Sequence, residues 1–335
     1  MNTKYLAIIL AIIIIVASSV GYLAYTGALN ANPKAPNSPT PTPTASPAKN
    51  TPTPTATTSV SPSPSPVVTT SPTPTPTPTP TPATLTVFIA SSLTNVVANM
   101  TAAFDKQYNC NIVVNSGSSS TLEQQIVAGS PCDVFMSADT KWTNTLATSN
   151  LVYSNFNTNF TTNSLCVILA QGNPKNVTSL GDLASNATGT NKIHIVIAQT
   201  SVPVGSYTNQ TLTKINNTWG NSSSSSYDPA YANYYTNFQN NVINTLQTDE
   251  QVVGAVNLNV GVADAGIVFY SDEVYANMIG QTVQFLPIPS SVNTVGTYGI
   301  CISSETTKST LAQAFYNYWL STQGQTLLTQ FGFGS

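Results

Sequence analysis

Arginine is absent from all 335 residues, so each of the nine basic residues is a lysine. Charged residues make up only 6% of the chain and the formal net charge is −3. Without guanidinium groups there is no bidentate clamp for carboxylate or phosphate, and no basic face of the kind nucleic acid requires. Histidine occurs once, at His194, and the four cysteines (Cys110, Cys132, Cys166, Cys301) contain no C-x-x-C pair. That donor set is poor for a bound metal cation. No G-x-S-x-G turn and no paired acids with a histidine partner are present, so the chain is not expected to be an enzyme or to carry a cofactor.

What is present begins with an apolar run over Tyr5–Tyr25 (LAIILAIIIIVASSVGYLAY, from Leu6). A helix of about 20 such residues crosses a hydrocarbon core. Lys4 on its N-terminal side favours the N-terminus inside and the remainder outside. A retained anchor and a cleaved signal peptide both fit, although a signal peptide's apolar region is shorter, about 7–15 residues. No cysteine follows until Cys110, which excludes a lipid-modified cysteine anchor. From Asn30 the chain is Pro, Thr, Ser and Ala, ending in uninterrupted Thr-Pro alternation over Thr73–Pro82. Such a segment has nothing to bury and reads as an extended, semi-rigid stalk. The predicted organisation is an anchor or signal peptide over 1–29, a linker over 30–83 and a folded part thereafter, held outside the cell membrane. N-x-S/T sequons at Asn99, Asn159, Asn176, Asn186, Asn209, Asn216 and Asn221 agree with an exported surface.

The folded part alternates strand and helix, which predicts an α/β protein with parallel sheets covered on both faces. Strands are expected at Thr84–Ala90, Asn111–Val114, Val134–Met136, Ser164–Ala170, Lys192–Ala198, Gly266–Phe269, Val283–Pro287 and Thr297–Ser303. Helices are expected from Leu93 to Tyr108, over Leu122–Ala128 with Ser119 or Ser120 as cap, and from Asp139. Further helices are expected over Tyr207–Ile215, Tyr231–Leu246, Glu250–Leu258, Ser271–Met278, Thr310–Leu320 and Gln323–Phe331, and Asn217–Pro229 reads as a surface loop. The most informative stretches are VFIASSLTN (Val87–Asn95) and NSGSSSTLEQQI (Asn115–Ile126), followed by CDVFMSAD (Cys132–Asp139). Each of the first two places serines between a strand and a helix start. A helix N-terminus offers unpaired N–H groups and the positive end of the macrodipole, so two of them can converge on one small anion. With no arginine available, amides and hydroxyls must hold it.

These motifs, with TTNSLCVILA, SVPVGSY, DEQVVGAVNLNVGVADAGIVFYSDEV and the final FYNYWLSTQGQTLLTQFGF, resemble in order the molybdate-binding proteins of ABC importers. That family has the two-lobed type II periplasmic-binding-protein fold, and the resemblance spans about Leu85–Phe333. It implies lobe 1 over 84–164 and 296–335, lobe 2 over 165–295, and a ligand cleft between them. It implies an extracytoplasmic receptor, expected as a monomer, that passes molybdate or tungstate to an ABC permease in the membrane. The metal is held only within the oxyanion. By motif, Ser92 and Ser119 would donate from lobe 1, and Val204 and Val252 would offer backbone N–H from lobe 2. The family tyrosine falls on Phe269, with Tyr270 beside it as the candidate donor. Molybdate and tungstate are fully deprotonated at neutral pH, so a cage of donors alone suits them, whereas a singly protonated phosphate wants a carboxylate acceptor. Another oxyanion such as sulfate, or a stalked surface protein that kept the fold without transport, are the competing readings. Ser164–Ala170 and Thr297–Ser303 read as strands crossing side by side between lobes. Cys166 and Cys301 are therefore expected close together, with Cys110 and Cys132 as the other candidate pair.

Overall fold

The computed structural model describes residues 81–257, 262–281 and 284–334. The predicted anchor and nearly all of the predicted linker lie outside the described residues. Among the described residues no helix is long and apolar enough to cross a membrane.

Among the described residues there are two five-stranded mixed sheets. The first takes β1 (Ala83–Ala90), β2 (Cys110–Gly117), β3 (Val134–Ser137), β4 (Val152–Asn163) and β10 (Gly296–Ser303), in the order β2-β1-β3-β10-β4. β1 runs parallel to β2 and β3, while β10 is antiparallel to both β3 and β4. The second sheet takes β5 (Leu165–Leu169), β6 (Ile195–Ala198), β7 (Val242–Leu246), β8 (Ala265–Phe269) and β9 (Gln284–Pro287), in the order β7-β6-β8-β5-β9. β6 is parallel to β7 and β8, and β5 is antiparallel to β8 and β9. The antiparallel strands make each sheet mixed, where strand–helix alternation alone predicts parallel pairing.

Helices follow the strands where the apolar spacing demands them. α1 (Thr94–Tyr108) buries Val96, Val97, Met100 and Phe104, and Asn109 ends it in the left-handed conformation at φ 46°. α2 (Ser119–Val127) is capped by Ser118, whose Oγ accepts from Thr121 N–H at 3.3 Å. The cap is therefore one residue earlier than expected. α3 (Thr140–Thr148) is capped by Asp139, which accepts from Lys141 N–H at 2.8 Å. α4 (Pro203–Ile215) starts four residues before the apolar periodicity becomes evident, with Pro203 in its first turn. α5 (Tyr234–Asn241), α6 (Asp249–Asn257) and α7 (Tyr270–Met278) complete the second half. α8 (Ser309–Leu320) and α9 (Thr322–Gln330) return to the first sheet: Phe315 meets Phe104 of α1 at 5.6 Å, and Gln325 Nε2 donates to Phe160 O at 2.9 Å.

Two edge strands depart from expectation. β4 follows α3 where no strand is predicted, and β7 replaces the last turn of a helix predicted over Tyr231–Leu246. The cysteine expectations also fail. Cys166 lies on β5 of the second sheet and Cys301 on β10 of the first, and all four cysteines are buried free thiols. Cys301 instead shares a small apolar cluster with Cys132, while Cys110 belongs to the main core.

The chain passes between sheets at Asn163–Ser164 and again just before Gly296, and Asn163 and Gly296 are register partners. Beside this crossing, the buried Asn293 side chain binds both backbone groups of Leu165. Its Oδ1 accepts from Leu165 N–H at 3.2 Å and its Nδ2 donates to Leu165 O at 2.8 Å. Replacing Asn293 by alanine leaves two buried backbone groups unpaired, at about 1–3 kcal/mol each. Asn293→Ala is expected to lower the unfolding free energy by a few kcal/mol in urea titrations monitored by tryptophan fluorescence.

Candidate functional site

Six strand ends converge on one inner cavity. Ala90, Ser91 and Ser92 line it after β1, Gly117, Ser118 and Ser119 at the β2–α2 junction, and Ala138 after β3. From the second sheet come Val202, Pro203 and Val204 at the start of α4, Gln247, Thr248 and Asp249 at the start of α6, and Phe269 at the end of β8. Ligands of open α/β sheets bind at such carboxyl ends, where helix starts supply amides. The cavity is small, about 10 Å³. That is room for about one water. An outer cavity of about 470 Å³, sharing Ser118, Val202, Pro203 and Gln247, contains Asp139, Lys141 and Trp142. Lys141 thus belongs to the mouth, and no cation lines the inner cavity among the described residues.

Both candidate serines are placed to donate. The Ser119 residue is fully buried, and its Oγ accepts from Ala138 N–H at 3.0 Å. Ser92 Oγ lies 2.9 Å from Tyr298 Oη, and Asn163 Nδ2 donates to that same Oη at 3.3 Å. Either hydroxyl can be the donor in the Ser92–Tyr298 bond. The Ser119 oxygen accepts from the protein and keeps its own proton free to donate. Burial holds the Tyr298 hydroxyl well above its ordinary pKa, so it stays a donor.

The other expected donors separate. Val204, 3% exposed, follows Pro203 in the first turn of α4, where N–H groups have no intrahelical acceptor. Val252 sits one turn inside α6; its N–H donates to Thr248 O at 3.3 Å, and it is not among the lining residues. The residues at the start of α6 that line the cavity are Gln247, Thr248 and Asp249. Tyr270 points elsewhere, with its ring 5.7 Å from Phe285, while Phe269 forms part of the wall. Phe269 packs edge-on to Tyr298 at 5.7 Å and to Tyr207 at 6.3 Å. The tyrosine hydroxyl beside Ser92 therefore comes from β10, a strand the motif comparison did not implicate.

Asp249 is the residue that motif reasoning missed. It is 1% exposed, and its Oδ1 accepts from the Ser91 hydroxyl across the cleft. An Asp-Glu pair opening a helix looks like an ordinary dipole partner, so nothing in the local sequence marks it.

A two-lobed α/β receptor with its ligand site at the junction is the class of protein defined by these sheets and this cavity. The chain belongs to the bacterial extracellular solute-binding protein family, whose model matches residues 85–334. Among curated relatives, molybdate-binding protein ModA of Mycobacterium bovis is 29% identical over 253 residues, covering 75% of this chain and 84% of that protein. Molybdate-binding protein ModA of Escherichia coli is 26% identical over 251 residues, covering 74% of this chain and 88% of that protein. Among solved structures, the periplasmic molybdate-binding protein of Azotobacter vinelandii superposes with a TM-score of 0.60 at 21% identity, covering 74% of this chain and 98% of that one. The sulfate-binding protein SubI of Mycobacterium tuberculosis superposes at 0.62 with 16% identity, covering 75% and 86%. At these identities the structural likeness carries the fold alone.

The relay from Asn163 through Tyr298 to Ser92 is open to test. Tyr298→Phe keeps the aromatic packing and removes the hydroxyl that orients Ser92. Losing one such bond, at about 1 kcal/mol or somewhat more, predicts an oxyanion affinity several-fold to tenfold lower in calorimetric titrations, with the folded far-UV spectrum unchanged.

Proposed function

We propose that this protein captures molybdate, or tungstate, outside the cell and delivers it to an ABC permease. The observation that carries the reading is the cavity wall itself: hydroxyls, helix starts and an apolar ring, one carboxyl (Asp249) that the Ser91 hydroxyl already engages, and no cation among the described lining residues. A tetrahedral dianion presents four acceptors, and preorganised neutral donors replace its hydration shell without a full counter-charge. The similarity to molybdate-binding relatives over most of the folded part supports the choice of ligand.

In this reading Ser92, Ser119 and the Val204 amide are ligand donors. The helix start at Thr248–Asp249 fills the place expected of Val252, and Tyr270 has no direct role. Lobe 1 comprises 84–164 with 296–335, and lobe 2 comprises 165–295. The inner space is too small for the anion as it stands, so the anion enters as the lobes part and is enclosed as they close about the crossing segments. The closed form is what the permease recognises. The apolar run at the N-terminus tethers the protein to the membrane and the Pro/Thr segment sets the folded part, a monomer, away from it.

Titration calorimetry of the protein with molybdate, tungstate, sulfate and phosphate tests the ligand. Molybdate and tungstate are expected to bind at least tenfold more tightly than sulfate, and tight binding of phosphate alone would overturn the reading. Hydrogen bonds to charged groups contribute about 1.5–3 kcal/mol. Ser92→Ala and Ser119→Ala should each weaken molybdate binding about ten- to a hundredfold. Lys141→Ala, at the mouth, should change it less than about threefold, as expected for a screened surface charge.

A further inference from the structure

A single hydrogen bond spans the inner cavity. The Ser91 hydroxyl, just after β1, donates to Asp249 Oδ1 at the start of α6, so the first-sheet and second-sheet sides touch within the cavity wall itself. Both residues are buried, at 8% and 1% exposure. The helix does not need this carboxylate as its cap, because Thr248 Oγ1 already accepts from Gln251 N–H at 3.3 Å. Asp249 Oδ2 is buried too and has no hydrogen-bond partner among the described residues. An acid that caps nothing and leaves one oxygen unpaired is costly to bury. Its position in the wall points to a role in binding.

A hydroxyl has one proton to give. While Ser91 gives it to Asp249, that donor is closed to a ligand. With the contact in place the space beside it holds about one water, so the Ser91–Asp249 bond and an enclosed oxyanion exclude each other. We propose that Asp249 is a tethered competitor for the anion: its carboxylate occupies Ser91 and latches the two sides together until an oxyanion displaces it and takes the Ser91 hydroxyl as a further donor. The proposal rests on the oxyanion reading above.

The surroundings favour displacement. No cation among the described lining residues offsets the carboxylate, so an ionised Asp249 repels a dianion at close range and must move as the anion enters. The unpaired Oδ2 keeps the latch weak, whereas an anion meets Ser92, Ser119 and the helix starts together. Two longer contacts flank the latch, each at 3.3 Å: Thr94 Oγ1 donates to Glu250 Oε1 at the rim, and Tyr207 Oη donates to Ala138 O. Thr94 has a better acceptor in Ser91 O at 2.7 Å, which leaves the buried Ser91–Asp249 bond the strongest of the three.

Two measurements on the full-length protein test this. All four native cysteines are buried, so spin labels can be placed selectively at Gln124→Cys and Ser201→Cys, exposed positions on opposite sides of the mouth. Without molybdate, double electron–electron resonance should give longer label separations in Asp249→Ala than in the parent, and saturating molybdate should bring the two together. In calorimetric titrations Asp249→Ala should bind molybdate about tenfold more tightly than the parent. Ser91→Ala, which loses latch and donor together, should gain less. Should Asp249→Ala fail to fold, Ser91→Ala cuts the same bond from the other side and should show the same lengthening. Equal separations in parent and variants, or weaker molybdate binding by Asp249→Ala, overturn the proposal and leave the oxyanion reading intact. No molybdate binding by the parent or either variant overturns the oxyanion reading, and the competitor role with it.

Discussion

The Tyr298 hydroxyl occupies the point on which the remaining architecture depends. It lies fully buried on β10, the strand that carries the chain back from the second sheet to the first. A hydroxyl in that position must be satisfied or it costs free energy, and its partners are Asn163 at the other crossing and Ser92 in the cleft. Asn163 in turn donates to Ser271 Oγ at 2.8 Å, at the start of α7. One small polar network therefore ties the two crossing segments, a helix start of the second sheet and a cavity-lining serine of the first. Around it the aromatic rings of Phe160, Phe269 and Phe333 pack edge-on at 6.3, 5.7 and 5.5 Å. The shielding matters, because hydrogen bonds out of water are both stronger and more demanding of geometry.

The absence of arginine takes on meaning against this background. A guanidinium in so small a cavity would bring its own desolvation cost and leave little to distinguish one anion from another. The inner cavity offers fixed amides and hydroxyls instead, with Ser119 held by the Ala138 N–H and Ser92 bonded to the Tyr298 hydroxyl. The same confinement explains why an acid is tolerated at the edge of the site. There the Ser91 hydroxyl donates to Asp249 Oδ1, so the buried carboxyl has a partner from the opposite lobe.

Most element positions could be read in the chain, and the failures share a cause. β4 and β7 are edge strands with few buried positions, in the sequences VYSNFNTNFTTN and VINTL. An edge strand held mainly by backbone bonds to one neighbour needs no apolar alternation, so asparagine and threonine give it no signature. The cysteine pairing failed for a different reason. Cys166 and Cys301 each sit on a strand at a crossing, but the strands diverge into separate sheets instead of running side by side. Tyr270 illustrates a one-residue effect: at the end of β8, Phe269 faces the cavity and the next side chain turns away to Phe285.

Local sequence by itself determined where strands hand over to serine-led helix starts, and that no arginine would meet the ligand. Serine-led helix starts follow from short-range pattern, whereas Ser92, Ser119 and Val204 are singled out by the family resemblance and line the inner cavity. Only the tertiary structure decided what stands behind those groups. Tyr298 meets Ser92 across 206 positions of chain, and Asp249 meets Ser91 across 158. Contacts at such separation leave no trace in local periodicity, because either partner taken alone is an ordinary buried tyrosine or an ordinary acid at a helix start.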